Sequence, residues 1–340
     1  METSNANNVK PRVVVWESTR ACNYACSHCR ATAQKQPDSH ELTTQEALHM
    51  VDQIAVLCKP VFIISGGDPL QRKDVFEVAS YAATLGFRVV MSPSGSDMLQ
   101  ETFDKMKQAG VQMISLSLDG PTAAIHDDFR NVSGAFNLVI RNAALAKVNN
   151  FPFRINTTVT QHNYKVIDAI HKITVENGAV EWDVFMLVPT GRGKIDMEIT
   201  PKQYEETLQT IYQLSESSPI PVKVTCAPQY TRIVAQQTKG KTTSGSRGCM
   251  AGNGFCFISH VGDVFGCGFL PLCAGSIRQQ KFKEIYQQSP LFIELRNHKL
   301  LKGKCGKCHY NIACGGCRAR ALSTKQNHLE EEPYCIFGVS

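Results

Sequence analysis

An α/β fold with a parallel sheet, followed by a cysteine-rich C-terminal module, is what the sequence predicts, and three observations predict it. Between residues 12 and 217 a short β-rich apolar run followed by an amphipathic helical stretch recurs about every 30 residues. The fourteen cysteines crowd at two ends, three within 22–29 and nine within 249–335, with only Cys58 and Cys226 between. The composition, 43% hydrophobic and 19% charged, is that of a globular chain, and no apolar run reaches the roughly 18 residues of a membrane span.

Strands are expected at 12–17, 60–65, 87–92, 112–118, 152–159 and 181–187, and helices at 43–57, 74–85, 100–109, 134–149, 164–177 and 201–217. Six βα units in a row imply a parallel sheet, either curved into a partial barrel or doubly wound. In both arrangements chemistry belongs at the C-terminal ends of the strands. Residues 238–248, with KGKTTSGSRG at their core, are rich in Lys, Gly, Ser and Thr and read as a linker. The expected organisation is a tail at 1–11, a core at 12–237, the linker, and a module at 249–340 in which metal sites replace much of the hydrophobic core.

Charge and compartment narrow the chemistry. The net charge of +6 is mild and its basic residues are scattered, which argues against nucleic acid and suits an anionic small substrate. Residues 1–10 are polar, with no basic start or apolar core of a signal peptide, so a cytoplasmic location is expected. Disulfides are disfavoured in a reducing compartment, so fourteen cysteines point to metal or cluster ligation.

Directly after the first strand stands Cys22-x3-Cys26-x2-Cys29. Three thiolates on a [4Fe–4S] cube leave one iron without a protein ligand, open to substrate or cofactor; the alternative is a zinc site with His28 as fourth ligand. This CxxxCxxC resembles the defining motif of the radical S-adenosylmethionine (SAM) superfamily, which implies a partial (β/α)6 TIM-like barrel. By that resemblance Cys22, Cys26 and Cys29 hold the catalytic cluster, SAM chelates its open iron, and reductive cleavage yields a 5′-deoxyadenosyl radical. Gly66-Gly67-Asp68-Pro69 ends strand two where the family has GGEP, implying backbone contact with the methionine amino group; Asp for Glu is a departure. Ser117, closing strand four, and Arg130 are implied SAM ligands, the Arg as a charge-assisted partner of the carboxylate. His28 and Leu187 match positions that touch adenosine in related enzymes.

The second cysteine set reads Cys249, Cys256 and Cys267, then Cys305-x2-Cys308-x5-Cys314-x2-Cys317, then Cys335. Zinc ribbons separate their CxxC pairs by about 15–20 residues, so five residues suit cluster ligation better. With its Gly262-x4-Cys267 element this stretch resembles the SPASM extension, the auxiliary-cluster domain of radical SAM maturases. The resemblance implies Cys249, Cys256, Cys267 and Cys317 on one [4Fe–4S] cluster and Cys305, Cys308, Cys314 and Cys335 on a second, three clusters in all. The family usually has three residues, not two, between the positions of Cys314 and Cys317, which leaves Cys273 as a spare. Cys58 reads as a small buried hydrophobe; Cys226, in the run 224–230, is left open between packing and a role at the active-site mouth.

Segments 15–22, 185–193, 225–230, 256–260 and 314–321 resemble the tetrapyrrole branch of these enzymes, the heme b synthases of the siroheme-dependent pathway. That resemblance implies oxidative decarboxylation of two propionates of iron-coproporphyrin III to vinyl groups under anaerobic conditions, with a reductant such as flavodoxin or ferredoxin. Ser92-Pro93-Ser94 departs from the Thr-Asn-Gly expected there. Arg192, Arg318 and Arg320 are candidate propionate clamps, with structural roles as the alternative. The rival readings are a maturase of a ribosomal peptide or protein side chain, and a non-catalytic electron carrier. A maturase would be expected to carry an N-terminal peptide-recognition domain, and only about ten residues precede the first strand.

Overall fold

The computed structural model describes residues 9–238 and 248–338. Most of the expected tail and linker, residues 1–8 and 239–247, therefore lie outside the described residues. The strands are β1 Val13–Glu17, β2 Val61–Ser65, β3 Arg88–Met91, β4 Val111–Ser117, β5 Phe153–Val159, β6 Glu181–Met186, β7 Val222–Thr225, β8 Phe255–Ile258, β9 Asp263–Phe265 and β10 Cys273–Ser276. The helices are α1 Thr44–Leu57, α2 Val75–Thr84, α3 Gln100–Gln108, α4 Ala123–Arg130, α5 Ala135–Val148, α6 Ile167–Glu176, α7 Pro201–Ser217, α8 Tyr230–Gln237, α9 Phe282–Gln288, α10 Pro290–Arg296, α11 Gly303–Lys307 and α12 Arg318–Lys325.

All six expected strands and helices are present, each within three residues of its expected ends. Local chemistry explains their limits: Thr43 and Glu46 close a reciprocal capping box at the start of α1. The helix α4 and the pair β7 and α8 were not anticipated. They are short, at eight, four and eight residues, too little chain for a period to stand out in a window of 11–18 residues.

The strands form one sheet in the order β10-β9-β8-β1-β2-β3-β4-β5-β6-β7. Strands β1 to β7 run parallel, β8 joins the free edge of β1 in parallel, and β9 and β10 continue antiparallel. The sheet thus crosses the expected linker, and β8 of the cysteine-rich part completes the first strand of the core. Side chains alternate across the sheet: Val14 and Trp16 are fully buried with Met50, Val51 and Ile54 of α1, whereas Glu17 turns to the other face.

A flat sheet would hold β1 and β6, five strands apart, about 24 Å from each other. Yet the loop after β1 touches the ends of β2, β3 and β6: the Gly67 N–H donates to Thr19 O at 2.7 Å, Gly95 packs on Tyr24, and the Arg192 N–H donates to Cys29 O at 2.9 Å. The strands therefore curl around that loop, as a partial barrel does. Among the described residues no helix is long and apolar enough to cross a membrane.

Candidate active site and cluster sites

The three cysteines of the first motif lie on the loop at the C-terminal end of β1, with Cys22 and Cys26 buried and Cys29 half-buried. Close approach of β2 fixes the loop. A Cβ on Gly67 would stand 2.4 Å from Ala21 O and one on Gly66 2.5 Å from Thr19 O, so neither position admits a side chain. Asp68, fully buried, accepts from Leu70 N at 3.1 Å and Gly95 N at 2.8 Å, and its own N–H donates to Ala21 O at 2.7 Å. Its carboxylate thus ties β2 to the loop after β3. Among the described residues no donor reaches the Gly66 or Gly67 carbonyl, which leaves both oxygens free to accept.

The sulfur atoms face donors. Tyr24 N–H points at Cys22 Sγ (3.4 Å), Ala33 N–H at Cys29 Sγ (3.5 Å) and Arg130 Nη1 at Cys26 Sγ (3.7 Å). Burial, with Asp68, Cys26 and Cys29 nearby, pushes the Cys22 thiol up to about 12, so thiolate there requires positive charge among the three sulfurs. That donor set fits an iron–sulfur cluster, whose iron supplies the charge and whose sulfur accepts the N–H groups.

Of the expected SAM-contact residues, His28 lies on this loop, Gly66, Gly67, Asp68 and Arg130 touch it, and Ser117 and Leu187 stand at the ends of β4 and β6. His28 lies flat on Phe129 of α4 (4.2 Å between centroids, 3° between planes), and burial with Arg130 and Arg192 nearby holds its imidazole neutral, well below its ordinary value. Ser117 ends β4 beside Asn156 of β5, whose Oδ1 is buried without a partner. Leu187 follows β6, buried. Arg130 ends α4 and is ion-paired to buried Asp119, which also accepts from Thr158 N at 2.7 Å. It therefore stands between Asp119 and Cys26 with two of its three nitrogens engaged and Nε free.

The three candidate propionate clamps each hold partners within the chain. Arg192 donates to Cys26 O and Ala33 O, both at 2.9 Å, and so braces the cysteine loop. Arg318 donates to His328 O (2.7 Å) and Glu330 O (2.8 Å). Arg320, with no exposure, pairs with Glu198 (2.9 Å) and Glu332 (3.3 Å) and donates to Leu187 O (2.6 Å) and Cys226 O (3.1 Å). Among the described residues Arg192 Nη2 is buried without a partner, and Arg318 Nη2 points at Cys305 Sγ at 3.9 Å.

The C-terminal thiols gather in two groups. Cys305, Cys308, Cys314 and Cys335 line one cavity, and backbone N–H groups of Glu332, Tyr310 and Gly316 point at Cys305, Cys308 and Cys314 at 3.3, 3.4 and 3.4 Å. The other group departs from expectation. Cys317, Cys267 and Cys249 face Cys226, and all four pack in one cluster with Val188 and Leu270. Burial raises the Cys226 thiol well above its ordinary value and the three facing cysteines raise it further.

Cys256 is not in this group. It pairs with Val14 in the β1–β8 register and shares its face of the sheet, fully buried in the main core, where the cysteine facing it is Cys58. Strand alternation puts Phe257 on the opposite face, and it is Phe257 that packs on Gly268 beside Cys267. Cys273 is also apart, exposed on β10. Cys226 holds a left-handed φ of +62°, a conformation unfavourable for a residue with a Cβ. Arg320 Nη1 and Tyr204 Oη (3.2 Å) fasten its carbonyl there.

A buried network that the motifs did not reveal joins the two halves. Glu17, at the end of β1, pairs with Arg30 and accepts from His260 Nδ1 at 2.7 Å. Arg30 follows Cys29 directly, donates to Gly268 O at 3.4 Å and stacks on Phe257 at 4.4 Å. One side chain therefore spans from a ligand position of the first cysteine group to the neighbour of Cys267. The only sequence sign was polar residues closing two apolar strands.

A cysteine loop at the mouth of a curled parallel sheet, tied to a second thiol-rich region, defines an iron–sulfur enzyme of the radical type. Residues 16–173 match the radical SAM superfamily and residues 249–309 the SPASM iron-sulfur cluster-binding domain. The chain belongs to the radical SAM superfamily, in the branch with a SPASM domain. It is 45% identical over 337 residues to the AdoMet-dependent heme synthase of Methanosarcina barkeri, covering 96% of this chain and 97% of that protein. The AdoMet-dependent heme synthase of Nitratidesulfovibrio vulgaris is 43% identical, covering 96% and 92%. Among solved structures, Streptococcus suis SuiB bound to S-adenosylmethionine matches with a TM-score of 0.78 over 97% of this chain and 78% of that one, at 16% identity, which shows the fold alone.

Proposed function

We propose that this radical SAM enzyme decarboxylates two propionates of iron-coproporphyrin III to vinyl groups, the last step to heme b. The observation that carries the reading is the 43–45% identity, over nearly the whole chain, to proteins named AdoMet-dependent heme synthase. Each propionate would lose a hydrogen atom from its β-carbon, carbon dioxide from its carboxyl group and one electron, leaving a carbon–carbon double bond.

In this reading Cys22, Cys26 and Cys29 hold the catalytic cluster, Cys226, Cys249, Cys267 and Cys317 the first auxiliary cluster, and Cys305, Cys308, Cys314 and Cys335 the second. SAM on the first cluster, once reduced by a donor such as flavodoxin or ferredoxin, supplies the hydrogen-abstracting radical. The Gly66 and Gly67 carbonyls would accept from the methionine ammonium, Arg130 would offer Nε to its carboxylate, and His28, Leu187 and Ser117 would complete the SAM site. Arg30 holds the Cys29 end of the loop against Gly268, so the site of radical formation keeps a fixed position relative to the acceptor of the substrate electron.

The test is an anaerobic assay of the reconstituted protein with SAM, a strong reductant and iron-coproporphyrin III, followed by mass spectrometry. Two successive losses of carbon dioxide and two hydrogens, with 5′-deoxyadenosine, are expected. If 5′-deoxyadenosine forms while the porphyrin stays intact, the substrate reading falls and peptide modification becomes the better reading; the likeness to SuiB, at 16% identity, does not by itself favour it.

A further inference from the structure

The turn from Cys226 to Gln229 touches both auxiliary thiol groups. Cys226 faces Cys249, Cys267 and Cys317, and three residues on, Gln229 lines the cavity of Cys305, Cys308, Cys314 and Cys335. Gln229 is 1% exposed, and among the described residues neither its Nε2 nor its Oε1 has a hydrogen-bond partner. An amide buried in this way loses its hydration at each unmet group, so a fold that keeps one there implies that a ligand of the cavity meets it. Its backbone is no reason for its identity, because Gln229 only precedes α8, with an ordinary helical φ of −62°.

The same cavity wall carries Arg232, buried and paired with Glu205, with Nε unpartnered, and Lys304. With the backbone N–H groups at Cys305, Cys308 and Cys314, the cavity is rich in donors. Arg232 and Lys304 bring diffuse positive charge. Gln229 is the neutral side chain whose N–H groups have nothing else to bind. A neutral donor to cluster sulfur favours the more reduced, more negative state, and so raises the reduction potential.

We propose that Gln229 donates an N–H to the sulfur of the cluster held by Cys305, Cys308, Cys314 and Cys335, and raises the reduction potential of that cluster. The bond makes this cluster a better electron acceptor than it would be without Gln229. The inference rests on the ligand assignment proposed above. That assignment fails separately, if Cys335→Ala leaves the iron content unchanged.

The experiment is an anaerobic potentiometric titration of the holoenzyme followed by electron paramagnetic resonance, with the signal of this cluster assigned by its disappearance in Cys335→Ala. Gln229→Leu, of similar size and without donors, is expected to make this cluster about tenfold harder to reduce, a downward shift of about 59 mV, with the other two signals in place. An unchanged potential overturns the proposal. Wild-type holoenzyme carrying 15N in its glutamine side-chain amides supplies the check that needs no variant. The reduced cluster should show a 15N hyperfine coupling, and the absence of that coupling overturns the proposal even if Gln229→Leu does not hold its iron.

Discussion

At the scale of single residues, strand alternation decided what motif spacing did not. Cys256 stands seven residues after Cys249, which looks like a ligand interval, but its place in Phe-Cys-Phe-Ile of β8 turns it into the core. Cys226, 23 residues before Cys249, reaches the thiol group only through the fold of β7 and the strained turn after it. On the proposed set of three cubes, Cys226→Ala is therefore expected to lower bound iron by about a third, and Cys256→Ala to leave it unchanged; equal losses in an iron assay would refute the assignment. Glu17 gives a pH signature. Burial raises its carboxyl, but Arg30 and His260 outweigh burial and hold it at about 2 against an ordinary 4.5. A folded-state value below the unfolded one adds stability that is complete above pH 4.5 and fades as pH falls towards 2, on the order of 3 kcal/mol. The urea midpoints of wild type and Glu17→Gln should differ at pH 7 and converge near pH 2. A gap that stays constant would mean the charge of Glu17 carries none of it.

Among the elements, the βα units were legible because each pairs an apolar β-branched run with an amphipathic helix, as in Val-Val-Val-Trp-Glu of β1 followed by the capped α1. The cysteine loop and the Gly66-Gly67 turn were legible for a related reason: cluster ligation and close backbone contact each demand particular residues. The helix α4 was not, because eight residues are two turns, too few for its buried face of His126, Phe129 and Arg130 to stand out as a period. The Gly67 turn makes a clear prediction. Gly67→Ala puts a methyl 2.4 Å from Ala21 O and must move either β2 or the cysteine loop. The expected cost is about 1–3 kcal/mol of stability, and a loop shift of about 1 Å can lower the rate 100-fold. Measured 5′-deoxyadenosine formation at the wild-type rate would show that the turn does not set the loop.

Over the whole molecule, Arg320 joins what the sequence divides. From α12 it reaches Glu198, Glu332, the end of β6 and the carbonyl of Cys226, and it stacks 5.2 Å over Tyr204. Arg320→Met leaves two buried carboxylates unpaired, with an expected loss of about 3–5 kcal/mol in anaerobic chemical denaturation; a loss below about 1 kcal/mol would show that these contacts are dispensable. The sequence suggested two domains because cysteine content changes abruptly near residue 249, yet composition says nothing of strand pairing, and β8 closes the edge of β1. That pairing sets Val14 beside Cys256, about 240 residues later. At about 5–20 residues per second a ribosome needs roughly 12 to 50 s to travel between them. Throughout that time the nascent chain presents the edge of Val-Val-Val-Trp-Glu to anything else with an open strand. The growing polypeptide thus depends on its last quarter to cover its first strand, and chaperone protection during synthesis becomes part of making the enzyme.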